Sequence, residues 1–224
     1  MSRLTLLCCL FSCSLSAQFL AVEEPVLDSL RARYTVWNDS MTQRGYARHG
    51  LFERMLDVVR GTHVNGGYLT DQLDRVYNIG VLDQPFILVT VHEGRPEQFA
   101  GIRDFADELE GEFLVFLMVA TPTFITDEVP FHDLGENVIV VYEHNFRTYE
   151  EAFTDQRLLG LIAWPMTYFI ASDRRIVELY NAGIPNLEKK SGAPSSRRKR
   201  HKKAFKRALK LLREYEEFSK PPRP

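Results

Sequence analysis

The chain has three cysteines, Cys8, Cys9 and Cys13, and none after them. Any chain that has lost its opening segment therefore holds together without disulfides, so packing of its many Phe, Tyr, Leu and Val residues must stabilise it. A thiolate is the attacking group in disulfide exchange and in thiol-based peroxide reduction, so its absence excludes both for the body of the chain. Long apolar runs are also missing: nothing beyond the opening approaches the roughly 20 apolar residues of a membrane helix. There is no glycine-rich phosphate loop, metal-binding helix or nucleophile elbow, and no cofactor is indicated. His132-Asp133 and Glu143-His144 are polar groupings without metal-ligand spacing.

What is present begins with an export signal. Arg3 is followed by an apolar run from Leu4 to Leu15, with Ser14 and Ser16 placed for cleavage after Ser16. Residues 1–16 are thus read as a signal peptide and the remainder as a secreted chain. Its charge is divided: residues 17–188 hold 13 Lys/Arg against 27 Asp/Glu, whereas residues 189–213 hold 12 Lys/Arg and no acid. A basic tail on an acidic body points to an interaction arm or an intramolecular clasp.

Residues 17–83 read as a helical N-terminal extension. Leu51, Phe52, Met55, Leu56 and Val59 fall on one helical face, which Gly61 ends. A second short helix is predicted from Thr70, as N-cap, to Tyr77, closed by Asn78 and Gly80. From residue 84 the pattern changes. Residues 85–91 (PFILVTV) and 113–119 (FLVFLMV) are short apolar runs of the kind buried on both faces of a sheet. Between them Phe99, Ile102, Phe105, Ala106 and Leu109 recur at helical spacing up to Gly111, giving a β-α-β unit. Residues 137–142 form a third strand and Tyr149–Leu161 a helix. Residues 166–170 and 176–180 form a hairpin about Ser172–Arg175. Residues 184–203 are predicted to be a basic flexible linker, and Phe205, Ala208, Leu209, Leu212 and Tyr215 mark a closing amphipathic helix over 204–219.

This order of elements resembles the thioredoxin-like superfamily over residues 84–183 plus the last helix, most closely in the stretch from Ala163 to Val177. The resemblance implies an α/β three-layer sandwich with a central mixed sheet, preceded by the helical extension. It further implies that Pro165 is the cis-proline facing the active site, and that Gly183 is the glycine following the second hairpin strand. In the family, a C-x-x-C motif follows the first strand. Here that place reads Arg95-Pro96-Glu97-Gln98, and neither Arg95 nor Gln98 supplies a thiolate.

The expected function is accordingly redox-inactive binding, with a protein or peptide at the face of Arg95–Gln98 and Pro165. An alternative is non-thiol catalysis in the same cleft, with His92, Glu93 or Glu97 as acid or base. Arg197, Arg198, Lys199, Arg200, Lys202 and Lys203 read either as a site for a sulfated glycan or other anionic surface, or as a processing site cut after Arg200. The export signal argues against a nuclear or nucleic-acid role for that run. Asn38-Asp39-Ser40 is a glycosylation sequon.

Overall fold

The computed structural model describes residues 57–64, 68–71, 73–91, 111–119, 136–142, 166–180 and 195–219, with Ser29, Ala32, Ile102, Leu109 and Leu134 as single positions. Among the described residues there are seven strands: β1 (Tyr68–Asp71), β2 (Val76–Asn78), β3 (Phe86–Val91), β4 (Leu114–Val119), β5 (Val138–Tyr142), β6 (Met166–Ile170) and β7 (Ile176–Tyr180). They form one mixed sheet in the order β2-β1-β5-β4-β3-β6-β7. The central strands β3, β4 and β5 are parallel neighbours. β6 runs antiparallel to β3, and β7 antiparallel to β6. A helix, α1 (Ser195–Ser219), closes the chain against β6 and β7.

The apolar runs are strands because both of their faces are covered. Every residue of β3 is buried, as is every residue of β6. Alternate residues serve two cores. On one face Ile87, Val89, Val115, Leu117, Val140 and Phe169 pack with Phe205, Ala208, Leu209 and Leu212 of α1. The Phe169 and Phe205 rings meet edge to face at 5.6 Å. On the other face Phe86, Phe116 and Tyr77 make edge contacts at 5.5 and 5.6 Å. Ile102 and Leu109, the described positions of the predicted β3–β4 helix, are helical and buried. Gly111, at φ +74, follows them, and the Glu112 and Phe113 N–H groups return to the Leu109 carbonyl. That is a left-handed helix stop, a conformation glycine adopts without a Cβ penalty.

Two expectations are corrected. The stretch from Thr70 to Tyr77 is a β-hairpin rather than a helix. Asp71 Oδ1 accepts from the N–H groups of Leu73 (2.8 Å) and Arg75 (3.0 Å). Asp74 sits at φ +58, and the Asp71 N–H donates to the Arg75 carbonyl, closing a three-residue loop. The β6–β7 turn repeats this design: Arg174 is at φ +70, and Ala171 N–H donates to the Arg175 carbonyl at 2.9 Å. The second correction concerns the linker. α1 begins at Ser195, so the basic run belongs to the helix and not to a flexible segment extending to residue 203. Of the predicted N-terminal helices, Ser29 and Ala32 are helical and residues 57–61 form turns. The expected signal peptide at residues 1–16 and the remainder of the first predicted helical stretch lie outside the described residues.

Residues 61–64 lie along the outer edge of β7. Gly61 N–H donates to the Ile176 carbonyl and Ile176 N–H to the Thr62 carbonyl, both at 2.8 Å, while Val64 N–H reaches the Arg174 carbonyl at 2.9 Å. An otherwise open sheet edge is covered there.

Candidate functional site

β3 and β6 set the frame of the expected site. They are antiparallel, with Thr90 opposite Met166, so the chain leaving β3 after Val91 and the chain entering β6 before Met166 meet at the same end of the sheet. Thr90 is fully buried, and its hydroxyl fastens this end: Oγ1 accepts from the Met166 N–H at 3.1 Å and lies 3.4 Å from the Met166 carbonyl. His92, Glu93, Arg95, Pro96, Glu97, Gln98 and Pro165 lie outside the described residues, as do Gly183, the sequon at Asn38, His132-Asp133 and Glu143-His144. By sequence and register, residues 92–98 follow β3 directly and Pro165 immediately precedes its antiparallel neighbour.

A β-α-β pair in parallel register, a β-hairpin added antiparallel to the first of these strands, and a helix closing the end together constitute one plan. The fold is thioredoxin-like. The sequence matches no protein-family model, and no curated protein matches it. Similar solved structures include a peroxiredoxin-like protein from Aquifex aeolicus, at 11% identity and TM-score 0.46, covering 68% of this chain and 87% of that one. A peroxidoxin from Mycobacterium tuberculosis gives 16% identity and TM-score 0.46, covering 69% and 96%. A copper-bound ScoI from Arabidopsis thaliana gives 11% identity and TM-score 0.42, covering 67% and 98%. The assignment rests on strand order and direction, and these likenesses transfer no residue's role.

On this thioredoxin-like frame the basic run takes a defined place. Lys199, Arg200, Lys202 and Lys203 are exposed on α1, while the backbone of Arg197 and Arg198 belongs to its first turn. Arg200, Lys203 and Arg207 line one groove, of about 610 Å³, between α1 and β7. Across it lie Leu179, Tyr180 and the pair Arg60–Glu178. Arg60 donates to the Glu178 carboxylate, to Asp57 and, at 3.3 Å, to the Leu179 carbonyl. Sequence reasoning had no means of finding Arg60 and Glu178, which are 118 residues apart in the chain. Arg207 was legible as the i+7 partner of Arg200.

Another firmly held charge lies in the β1–β2 hairpin. Burial pushes the Asp71 carboxyl up, but hydrogen bonds from Arg75, Leu73 and Tyr77 outweigh it and leave its pKa below the ordinary carboxylate value. The Arg75 Nε lies 2.6 Å from Asp71 Oδ2, and the Tyr77 hydroxyl donates to the same oxygen at 3.1 Å. Burial and this bond together raise the Tyr77 pKa. Among the described residues the hydrogen-bond partners of Asp71 are internal to the hairpin, so the cluster serves as a turn lock. Among the described residues no three His, Cys, Asp or Glu side chains converge on a metal-sized site.

Proposed function

We propose that this is an exported thioredoxin-like protein that acts by binding and carries out no thiol chemistry. One observation carries the reading: the β3–β6 frame that positions the family's redox motif is present, while no cysteine follows Cys13. Residues 92–98, following β3, contain Arg95-Pro96-Glu97-Gln98 at the motif's place, and these residues with Pro165 form the contact face for a protein or peptide. The arginine in this stretch suits a carboxylate or other anion on that partner. The helical placement of Arg200 favours a binding role for that residue over processing after it, because proteases bind extended backbone.

The test uses the chain purified without residues 1–16. Neither insulin disulfide reduction nor peroxide consumption is expected above the level of a heat-denatured control, and turnover in either assay would sink the reading. Cross-linking capture from extracellular medium should yield partners that Arg95→Ala/Gln98→Ala loses. Identical capture by both chains would remove this face from the proposal.

A further inference from the structure

We propose that the groove between α1 and β7 is a binding site for a sulfated oligosaccharide. This rests on the protein being exported, since sulfated glycans are met outside cells. The helix supplies the cations. Arg200, Lys203 and Arg207 stand at i, i+3 and i+7, so they share a side of α1 and are spread over about 10 Å at 1.5 Å per residue. Lys210 and Arg213, further along α1, are paired with Glu214 and Glu112. Arg200, Lys203 and Arg207 have no carboxylate partner among the described residues, and the one acid among the groove's described lining residues, Glu178, is already held by Arg60. Among its described lining residues the groove therefore carries uncompensated positive charge beside Tyr180 and Ala204.

The opposite wall decides which polyanion fits. Leu179 offers nothing to an incoming peptide strand: its N–H donates to Glu178 Oε1 at 3.0 Å and its carbonyl accepts from Arg60 at 3.3 Å. Further along the edge, Ile176 is bonded to residues 61 and 62. A ligand in this groove is thus recognised through its own anionic groups and not by main-chain pairing. A membrane surface is disfavoured, because a surface-lying helix inserts its apolar face. Here Phe205, Ala208, Leu209 and Leu212 are spent in the core. Sulfates spaced along a flexible sugar chain match the array, and the two arginines present planar forks suited to such oxyanions.

The experiment is titration calorimetry of the full mature chain with a heparin-derived oligosaccharide at several salt concentrations. Arg200→Ala/Lys203→Ala/Arg207→Ala is expected to weaken binding at least about tenfold and to flatten its salt dependence, since fewer counterions are exchanged. Lys199→Ala/Lys202→Ala/Lys206→Ala, an equal change in charge outside the groove, should cost less than about threefold. Equal losses in the two triples would overturn the site in favour of diffuse attraction. Equal affinity for the desulfated oligosaccharide, or for duplex DNA of the same length, would overturn the ligand class. Thermal melts should show both triples folded, as these side chains are exposed. Should the groove triple melt early, Arg200→Ala and Arg207→Ala alone are compared with Lys199→Ala and Lys206→Ala by the same criterion. Arg95→Ala/Gln98→Ala should keep full glycan affinity, so failure of the groove and failure of the other face are read separately.

Discussion

Glu216, near the end of α1, accepts both the main-chain N–H of Ser172 (2.7 Å) and its hydroxyl (2.9 Å), at the turn between β6 and β7. A carboxylate on the last helix thus holds the hairpin's tip, next to Tyr215, whose hydroxyl donates to Asp173 at 2.8 Å. The helix is clamped at this end as well as packed along its length. Glu216→Ala leaves the Ser172 N–H to water and should cost about 1–2 kcal/mol in urea unfolding. Glu216→Gln, which keeps an acceptor, should cost less.

Phe205 is fully buried against Phe169 on the helix-side core. Truncation to alanine removes most of its side chain from a packed layer, and about 3–5 kcal/mol of stability should be lost. Ending the chain at Lys190 removes Phe205, Ala208, Leu209 and Leu212 together. Such a chain should show no cooperative unfolding transition, so the basic helix is better examined by point substitution than by deletion.

Asp71 sets an acid dependence. Its pKa in the folded chain lies below the ordinary value of 3.8. The carboxylate's stabilisation is therefore complete above about pH 5 and is lost as pH falls through the unfolded value and then the folded one. The stability gap between the native chain and Asp71→Asn should shrink as pH is lowered from about 6 to 3. A gap independent of pH would assign the loss to packing alone.

Thr90→Val keeps the shape of a buried side chain but removes the acceptor of the Met166 N–H. About 0.5–1.5 kcal/mol should be lost, the net worth of a typical hydrogen bond. Amide exchange at Met166 should accelerate more than at Tyr168 in the middle of the same strand.

The bond after Arg200 should resist trypsin and proprotein convertases in the native chain, because it lies inside α1. Lys202→Pro breaks the helix locally and should speed cleavage there, as followed by mass spectrometry. Equal rates in the two chains would show that the helix gives no protection.

The sequence by itself determined the central strands and the lack of thiols. β3, β4 and β6 are apolar and β-branched enough to be read locally, since burial on both faces demands continuous hydrophobicity. Gly111 likewise announced its helix stop. Tertiary structure decided the rest. Leu69, Leu73, Val76 and Tyr77 carry helical spacing, yet Leu69 is buried while Leu73 and Val76 are exposed. Pairing of β1 with β5, and the Asp71 turn, outweigh that weak local preference. The basic run looked like a linker from its Ser, Pro and charge content. Lys and Arg are good helix formers, however, and packing of Phe205–Leu212 supplies the costly nucleus from which the helix extends back to Ser195. The meeting of Arg200, Lys203 and Arg207 with Arg60–Glu178 comes from sheet order alone, because no local pattern brings together residues so far apart in the chain.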